Sequence, residues 1–197
     1  MINRKLIVAL LSLVLVVALS IGGTFAWLND TSDTVTNTFK PGEIVTRVDE
    51  TFDGNVKSNV SIENVKTDNA VDAYIRAEIV VTWQDNEGNV YGQLPVAGTD
   101  YTIGFNLSSN TDTNGGEWVA STDGFYYWTM PVAPGAKTGF LIKTCAPIAD
   151  KAPKGYHLCV EVISTAIQTV PTSVVTTEWS TGVVSEVAEN GELTIKR

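Results

Sequence analysis

The residues that could perform covalent chemistry are few and lie close together in the last third of the chain. Cys145 and Cys159 are the two cysteines, His157 is the single histidine, and Asp150 lies between them. A cysteine beside a histidine could act as an activated nucleophile. However, residues two apart on a strand share a face, and the sequence shows no loop suited to an oxyanion. We therefore expect His157 to be a surface residue at a hairpin end, and we assign no catalytic residue.

Metal chemistry lacks a matching set of ligands in the sequence. There is no HExxH motif, and one histidine with two cysteines is too few for a structural zinc site. The stretch Asp85–Asn89 resembles part of a calcium loop but lacks the distal bidentate glutamate at the right spacing. We interpret it as a polar hairpin turn, and we predict no metal and no other cofactor.

The aromatic run Phe125–Trp128 could offer a platform for carbohydrate rings. Because alternate residues of a strand face opposite sides, two of these four rings would enter the core. We expect core packing here. The carbohydrate interpretation requires Tyr126, Trp128 or Trp118 to be exposed.

The two cysteines could also form a disulfide. They lie on consecutive apolar runs, Thr138–Cys145 and Tyr156–Thr169, which are joined by ten residues. If the runs pair as a hairpin, Cys145 and Cys159 would come near each other, and export would permit oxidation. Such a crosslink would contribute roughly 3 kcal/mol. The alternative is two unpaired thiols, because the register is unknown and cross-strand disulfide geometry is demanding.

The N-terminus has the order of a secretory signal. Two basic residues precede the apolar run Leu6–Ile21, and a glycine pair and Thr24-Phe25-Ala26 follow it. We predict that residues 1–26 are a signal peptide, cleaved between Ala26 and Trp27. The alternative is an uncleaved anchor, since the apolar stretch approaches the roughly 20 residues that cross a bilayer. In both cases the bulk of the chain lies outside the cytoplasm.

The composition favours an extracellular β protein. Only 18% of the residues are charged, and 13 basic against 22 acidic side chains give a net charge of −9. This charge repels phosphate backbones, so nucleic acid is not an expected partner. Beyond residue 40, apolar runs alternate with turn signals and predict strands. The predicted strands are Ile44–Val48, Val60–Val65, Tyr74–Trp83, Tyr101–Leu107, Phe125–Met130, Thr138–Cys145, Tyr156–Thr169, Val174–Trp179 and Leu193–Ile195.

These strands predict an antiparallel two-sheet β-sandwich over residues 43–197. The stretch Ala73–Trp83 puts apolar side chains on one face, and His157–Gln168 alternates in the same way. Jelly-roll and immunoglobulin-like topologies both fit, although the immunoglobulin Cys…Trp…Cys pattern is absent. Asn190-Gly191 predicts a hairpin with a type I′ turn. The stretch Val170–Trp179 is ambiguous between a strand and a helical turn.

Several stretches of the chain resemble the TasA/camelysin family of exported proteins. The junction GGTFAWLND (22–30) and NTFKPGEI (37–44) resemble the signal region of that family. Further along, VSIENVKTDNAVDAYIRAEIVVTW (60–83), DGFYYWTMPVAPGAKTGFLI (123–142) and YHLCVEVISTAIQTV (156–170) are similar to its inner segments, and Trp179 to a later tryptophan.

The resemblance implies a jelly-roll β-sandwich that is exported through a signal peptidase of the SipW type. It implies a secreted or surface-bound structural protein of a bacterial biofilm matrix that assembles into fibres. In TasA-like fibres the N-terminal segment of one subunit completes the sheet of the next. Camelysin is described as a metal-dependent protease, but this sequence offers no matching ligand set. Cys145 and Cys159 are also outside the family pattern, and a lysine-rich C-terminal tail is missing.

The segment between the signal and the domain, residues 27–42, is the expected assembly element. Residues 27–39 are mostly Thr, Asn, Asp and Ser, with Trp27, Leu28, Val35 and Phe39 as apolar points. Such a segment can pair with an exposed sheet edge of another subunit. A head-to-tail contact of this kind does not close and yields filaments. The plain alternative is a floppy N-terminus.

The expected partner is therefore another copy of the chain or a related matrix subunit. The membrane is expected to be a partner only through the signal segment, before cleavage. The alternative function is a cell-surface adhesion or glycan-binding module.

Overall fold

The computed structural model describes residues 42–107, 115–179 and 183–197. Antiparallel strands dominate these ranges, and one short helix precedes the last hairpin. The elements are β1 (Thr46–Asp53), β2 (Val56–Asn64), β3 (Ala73–Gln84), β4 (Tyr101–Phe105), β5 (Trp118–Ala120), β6 (Tyr126–Trp128), β7 (Ile142–Pro147), β8 (His157–Gln168), α1 (Ser173–Glu178), β9 (Val184–Val187) and β10 (Leu193–Ile195).

The first eight strands form two packed four-stranded sheets. The first sheet has the order β1-β2-β7-β4, the second has the order β5-β6-β3-β8, and all the pairings are antiparallel. The prediction of an all-β sandwich is confirmed. The orders β2-β7-β4 and β8-β3-β6 are those of a jelly roll. At the edges, β1 pairs with β2 in the first sheet and β5 pairs with β6 in the second.

The core between the sheets is built on two tryptophans. Trp118 and Trp128 are almost fully buried, and their rings meet edge to face with centroids 5.6 Å apart. The Trp118 indole nitrogen donates to the Gly139 carbonyl oxygen at 2.8 Å, so its single polar group is satisfied. The predicted inner face of β3 is confirmed, because Ile75 and Ala77 are fully buried in the same cluster.

A second apolar cluster covers the outer face of the β3–β6 part of the second sheet. Val175 and Trp179, four residues apart on one side of α1, pack there with Tyr74, Tyr127 and residues of β9 and β10. The sequence left Val170–Trp179 open between a strand and a helical turn; the strand over Val174–Trp179 is wrong, and the helical alternative is the one observed. Burial of one helical face against the sheet outweighs the weak preference of these residues for strands.

The hairpin predicted at Asn190-Gly191 is present, but its turn type differs. Strands β9 and β10 pair with Leu193 opposite Val187. The Gly191 nitrogen donates to the Ala188 carbonyl oxygen at 2.9 Å, and Gly191 has a φ of 84°, whereas Asn190 has no positive φ. A type I′ turn needs two positive φ angles, so the geometry fits a type I turn closed by a glycine bulge.

The packing of the tryptophan core generates a stability prediction. A Cβ atom added at Gly116 would lie 2.5 Å from the Trp128 ring, whereas one added at Gly92 would meet no atom within 4 Å. We expect Gly116→Ala to lower the free energy of unfolding by about 1–3 kcal/mol, because the buried ring must shift. The matched control Gly92→Ala changes it by less than about 0.5 kcal/mol. Urea unfolding followed by tryptophan fluorescence measures both, and equal effects would contradict the packing.

Candidate functional site

The predicted cleavage and assembly residues lie outside the described part of the chain. These are Ala26 and Trp27 at the cleavage site and Trp27, Leu28, Val35 and Phe39 in the assembly segment. They therefore remain predictions. The described residues begin at Gly42, the last residue of the predicted segment 27–42, so they show the surfaces that such a segment could meet.

The two cysteines lie in different sheets, and the hairpin that was to join them does not form. Cys145 of β7 is paired with Lys57 and Ile103 in the first sheet, whereas Cys159 of β8 is paired with Thr82 in the second. The connection from β7 to β8 crosses between the sheets instead of turning back. Both cysteines are free thiols in this structure, so the possible disulfide between Cys145 and Cys159 is not present.

The surroundings of both thiols disfavour nucleophilic chemistry. Burial raises the pKa of Cys145 to about 11. Burial, together with the negative charge of Glu161, also raises the pKa of Cys159. The thiolate is the reactive form, so both side chains are protonated and weakly nucleophilic at neutral pH. His157 is exposed at the first residue of β8, as expected for a strand end. Cys159 Sγ donates to Glu161 Oε1 at 3.9 Å.

The Asp85–Asn89 stretch is a polar turn whose carboxylate is already engaged. Asp85 Oδ1 accepts from the backbone nitrogens of Glu87 and Asn89 at 2.9 and 2.8 Å, and Oδ2 accepts from Asn89 Nδ2 at 2.9 Å. These hydrogen bonds, with that from the Asn89 side chain first, lower the pKa of Asp85. Across the described residues, no three His, Cys, Asp or Glu side chains come together in a way that could hold a metal ion.

A guanidinium group held between two aromatic rings is the main feature that sequence reasoning missed. The Arg76 guanidinium carbon lies 4.2 Å from the centroid of the Phe125 ring and 5.0 Å from that of Trp179. Arg76 Nη1 donates to the Tyr127 hydroxyl at 3.3 Å, and that hydroxyl donates to Asp123 Oδ2 at 2.6 Å. Burial, followed by the bond to Asp123, raises the pKa of Tyr127 to about 12.

This cluster joins three stretches that are far apart in the chain. Arg76 comes from β3, Asp123, Phe125 and Tyr127 come from the turn before β6 and from β6 itself, and Trp179 follows α1. These are also stretches on which the family resemblance rests. The arrangement fastens the C-terminal helix to the outer face of the second sheet, and its chemistry is structural. Strand alternation placed Arg76 opposite the core face, but no local pattern indicated which rings would cover it.

Each sheet ends in strands with one side that no other described strand pairs with. These edge strands are β1 and β4 in the first sheet and β5 and β8 in the second. β8 is the longest of them, with twelve residues, and its pairing with β3 runs without a bulge. An edge of this kind presents a row of unpaired N–H and C=O groups that can template another strand.

A groove of about 990 Å³ opens at the end of the sandwich where β8 begins. The β1–β2 turn lines one wall with Phe52, which is 62% exposed, and Val56. The β7–β8 connection lines another wall with Ile148 and Lys154, and Leu158 of β8 lies at its base. The groove therefore combines apolar side chains with backbone at the start of an open sheet edge.

Comparison with known proteins identifies one family. A family model described as camelysin metallo-endopeptidase matches residues 1–73, a range that contains the predicted signal, the predicted assembly segment and the first two strands. The match shows that the N-terminal part of the chain is similar to camelysin, in agreement with the family resemblance of its sequence. Comparisons with curated proteins and with solved structures give no match.

The camelysin model covers well under half of the chain. The family description names a metallo-endopeptidase, but the donor groups of the described residues do not fit a resident metal, because no three of them come together. Among the described helices, none has the length and apolar character to cross a membrane.

The Arg76 cluster generates a second stability prediction. We expect Arg76→Ala to lower the free energy of unfolding by about 2–3 kcal/mol, because two cation–π contacts and a hydrogen bond to Tyr127 are lost. The control Arg47→Ala removes an ion pair with Glu63 whose arginine is 64% exposed, and costs less than about 1 kcal/mol. Denaturant unfolding measures both variants. Equal losses would show that the cluster does not fasten the C-terminal region.

Proposed function

We propose that this protein is an exported structural subunit of an extracellular biofilm matrix. A SipW-type signal peptidase removes residues 1–26, and residues 27–39 of one subunit then add a strand to a sheet of the next. The partner is another copy of the chain or a related matrix subunit. Repetition of this contact builds a fibre, because a head-to-tail interface that does not close continues indefinitely.

The family match supports the proposal through the part of the chain that it covers. It covers residues 1–73 and therefore spans the predicted signal, the assembly segment and the first hairpin of the sandwich. The composition agrees, since a low fraction of charged residues and many β-branched side chains suit a secreted β protein.

The observation that carries the proposal is the open edge of β8. Twelve residues of this strand pair with β3 on one side only within the described part of the chain. Natural proteins usually shorten, charge or bend such an edge to prevent unwanted pairing. β8 has no proline and no bulge, and its charged side chains are Glu161 together with the titratable His157 at its start. An edge left in this state suits a strand supplied by a partner.

The glycan-binding alternative required exposed aromatic side chains, and the three side chains on which it depended are buried or half-buried. Trp118 and Trp128 are buried in the core. Tyr126 is half-buried and stacks on Phe105, with ring centroids 5.1 Å apart. A carbohydrate platform needs exposed ring faces, so these side chains do not provide one.

Removal of the assembly segment tests the proposal. We expect a chain that keeps residues 1–26 but lacks residues 27–39 to be exported as a monomer, because the donated strand is absent. Size-exclusion chromatography and negative-stain electron microscopy of the secreted protein measure the outcome. Fibres that persist at the wild-type level would contradict the proposal.

A pair of point variants separates strand donation from a general effect of the deletion. Val35→Asp places a charge on an apolar anchor and should reduce fibre yield at least tenfold. The matched control Thr34→Ser keeps the polar character of the neighbouring position and should assemble as the wild type does.

A further inference from the structure

We infer that Tyr91 and Tyr156 form a site of oxidative modification, at which a haem peroxidase and hydrogen peroxide join the two rings into an intramolecular dityrosine. The ring centroids lie 4.9 Å apart, with an angle of 59° between the ring planes. The new bond would connect the β3–β4 loop to the β7–β8 connection, at the end of the sandwich that carries the groove. The cross-link needs no assembled fibre, so it goes beyond the proposed function.

The turn after β3 brings Tyr91 to this end of the sandwich. The polar turn Asp85–Asn89 reverses the chain, which then returns beside the strand that it has just left. Val90 forms an antiparallel bridge with Gln84. The Tyr91 nitrogen donates to the Trp83 carbonyl oxygen at 2.9 Å. Backbone hydrogen bonding therefore fixes Tyr91 at the end of β3, while 39% of the residue stays exposed.

The register of the β3–β8 ladder brings Tyr156 to the same place. His157, the first residue of β8, pairs with Gln84, the last residue of β3. Tyr156 directly precedes this pair, and its nitrogen donates to the Pro153 carbonyl oxygen at 3.0 Å. Tyr156 also lines the groove. The pairing of the two long strands thus sets the two tyrosines beside each other, although they are far apart in the chain.

The other four of the six tyrosines are less suited to oxidation. Three of them are buried, namely Tyr74, Tyr101 and Tyr127. The fourth, Tyr126, is half-buried and stacks on Phe105, which has no phenol. Burial raises the pKa of each of these four phenols, which makes the loss of the proton on oxidation harder. Among the aromatic contacts of the described residues, that of Tyr91 with Tyr156 is the one between two tyrosines.

The coupling step balances with one peroxide molecule. Each tyrosine gives one electron and its phenolic proton to the oxidant and becomes a phenoxyl radical, whose unpaired electron is shared with the ring carbons beside the C–O carbon. A bond between one such carbon of each ring pairs the two electrons. The hydrogen atoms on those two carbons then move to the oxygens, which restores both phenols. The two electrons and two protons that were removed reduce hydrogen peroxide to two water molecules.

The contact between the rings favours coupling within one chain over coupling between chains. The centroid separation of 4.9 Å lies in the range of aromatic pairs in contact. Holding two reacting groups together replaces an encounter between molecules by a step within one molecule. Both side chains lie outside the regular strands and are partly exposed, so their rings can rotate on a fast timescale into the edge-to-edge arrangement that the bond requires.

The cross-link would reinforce this end of the sandwich. The new bond closes a covalent ring that runs through β4, β5, β6 and β7. A covalent link between distant residues restricts the unfolded chain, as a disulfide does. Both cysteines of this chain are free thiols, so they supply no such link. Oxidation of the tyrosine pair would therefore make the domain harder to unfold.

Peroxidase treatment of the purified protein tests the inference. We expect dityrosine fluorescence and a monomer that has lost two hydrogen atoms, in which mass spectrometry finds the peptide of Tyr91 joined to that of Tyr156. Tyr91→Phe and Tyr156→Phe each keep a ring but lack one phenol, and each should lower the yield of dityrosine at least tenfold. The matched control Tyr126→Phe should give the wild-type yield.

Urea unfolding before and after oxidation provides a second measurement. The oxidised wild type should unfold at a higher urea concentration than the untreated protein, whereas Tyr91→Phe should show no such shift. Before oxidation, Tyr91→Phe should unfold close to the wild type, which shows that the fold is retained.

Three results would overturn the inference. The first is that the wild type forms no dityrosine, and the second is that dityrosine appears only in covalent dimers of the chain. The third is that Tyr91→Phe and Tyr156→Phe give the same yield as the wild type. A failure of fibre assembly bears on the proposed function alone, because the coupled rings belong to one chain.

Discussion

The twelve-residue ladder between β3 and β8 is the constraint on which the rest of the structure depends. It runs unbroken from Ala73 opposite Gln168 to Gln84 opposite His157. Its inner face carries Ile75, Ala77 and Val160 into the core beneath the two tryptophans. Its outer face carries Arg76 into the aromatic cluster that holds the C-terminal helix. β3 pairs with β6 on its other side, and no other described strand pairs with β8, so β8 is an edge of this sheet.

The consequences for function follow from what this ladder positions. Two buried groups have raised pKa values and serve packing. The Tyr127 hydroxyl links Arg76 to Asp123, and Cys145 lies in the core, paired with Lys57 across the strands. The carboxylate of Asp85 closes its own turn. Tyr127, Cys145 and Asp85 are thus engaged in holding the scaffold, whereas one side of β8 pairs with no other described strand. Under the proposed function, the long unpaired edge of β8 is suited to receive a strand, because an added strand gains main-chain hydrogen bonds.

Long periodic elements could be predicted from the sequence, and short or long-range features could not. The predicted strands at Tyr74–Trp83 and Tyr156–Thr169 match β3 and β8 closely, because alternation over twelve residues is a strong signal. β5 has three residues and offers no period to detect. The β-branched run in α1 is also compatible with a strand, and the packing of Val175 in the second apolar cluster favours the helix. The prediction of a hairpin that joins the two cysteines was wrong, because the order of strands along the chain does not show which connections cross between the sheets. The Arg76 cluster depends on contacts between residues that are distant in sequence.

Hydrogen–deuterium exchange of the β8 backbone tests the central claim most directly. The comparison is between assembled fibres and the exported chain that lacks residues 27–39. The account predicts that outward-facing amides, such as those of Val160 and Val162, exchange readily in the monomer and at least ten times more slowly in the fibre, since slow exchange reports a hydrogen bond that must open. Amides of β5 should not change. Equal exchange of β8 in the two states, with the fibre intact, would contradict the account.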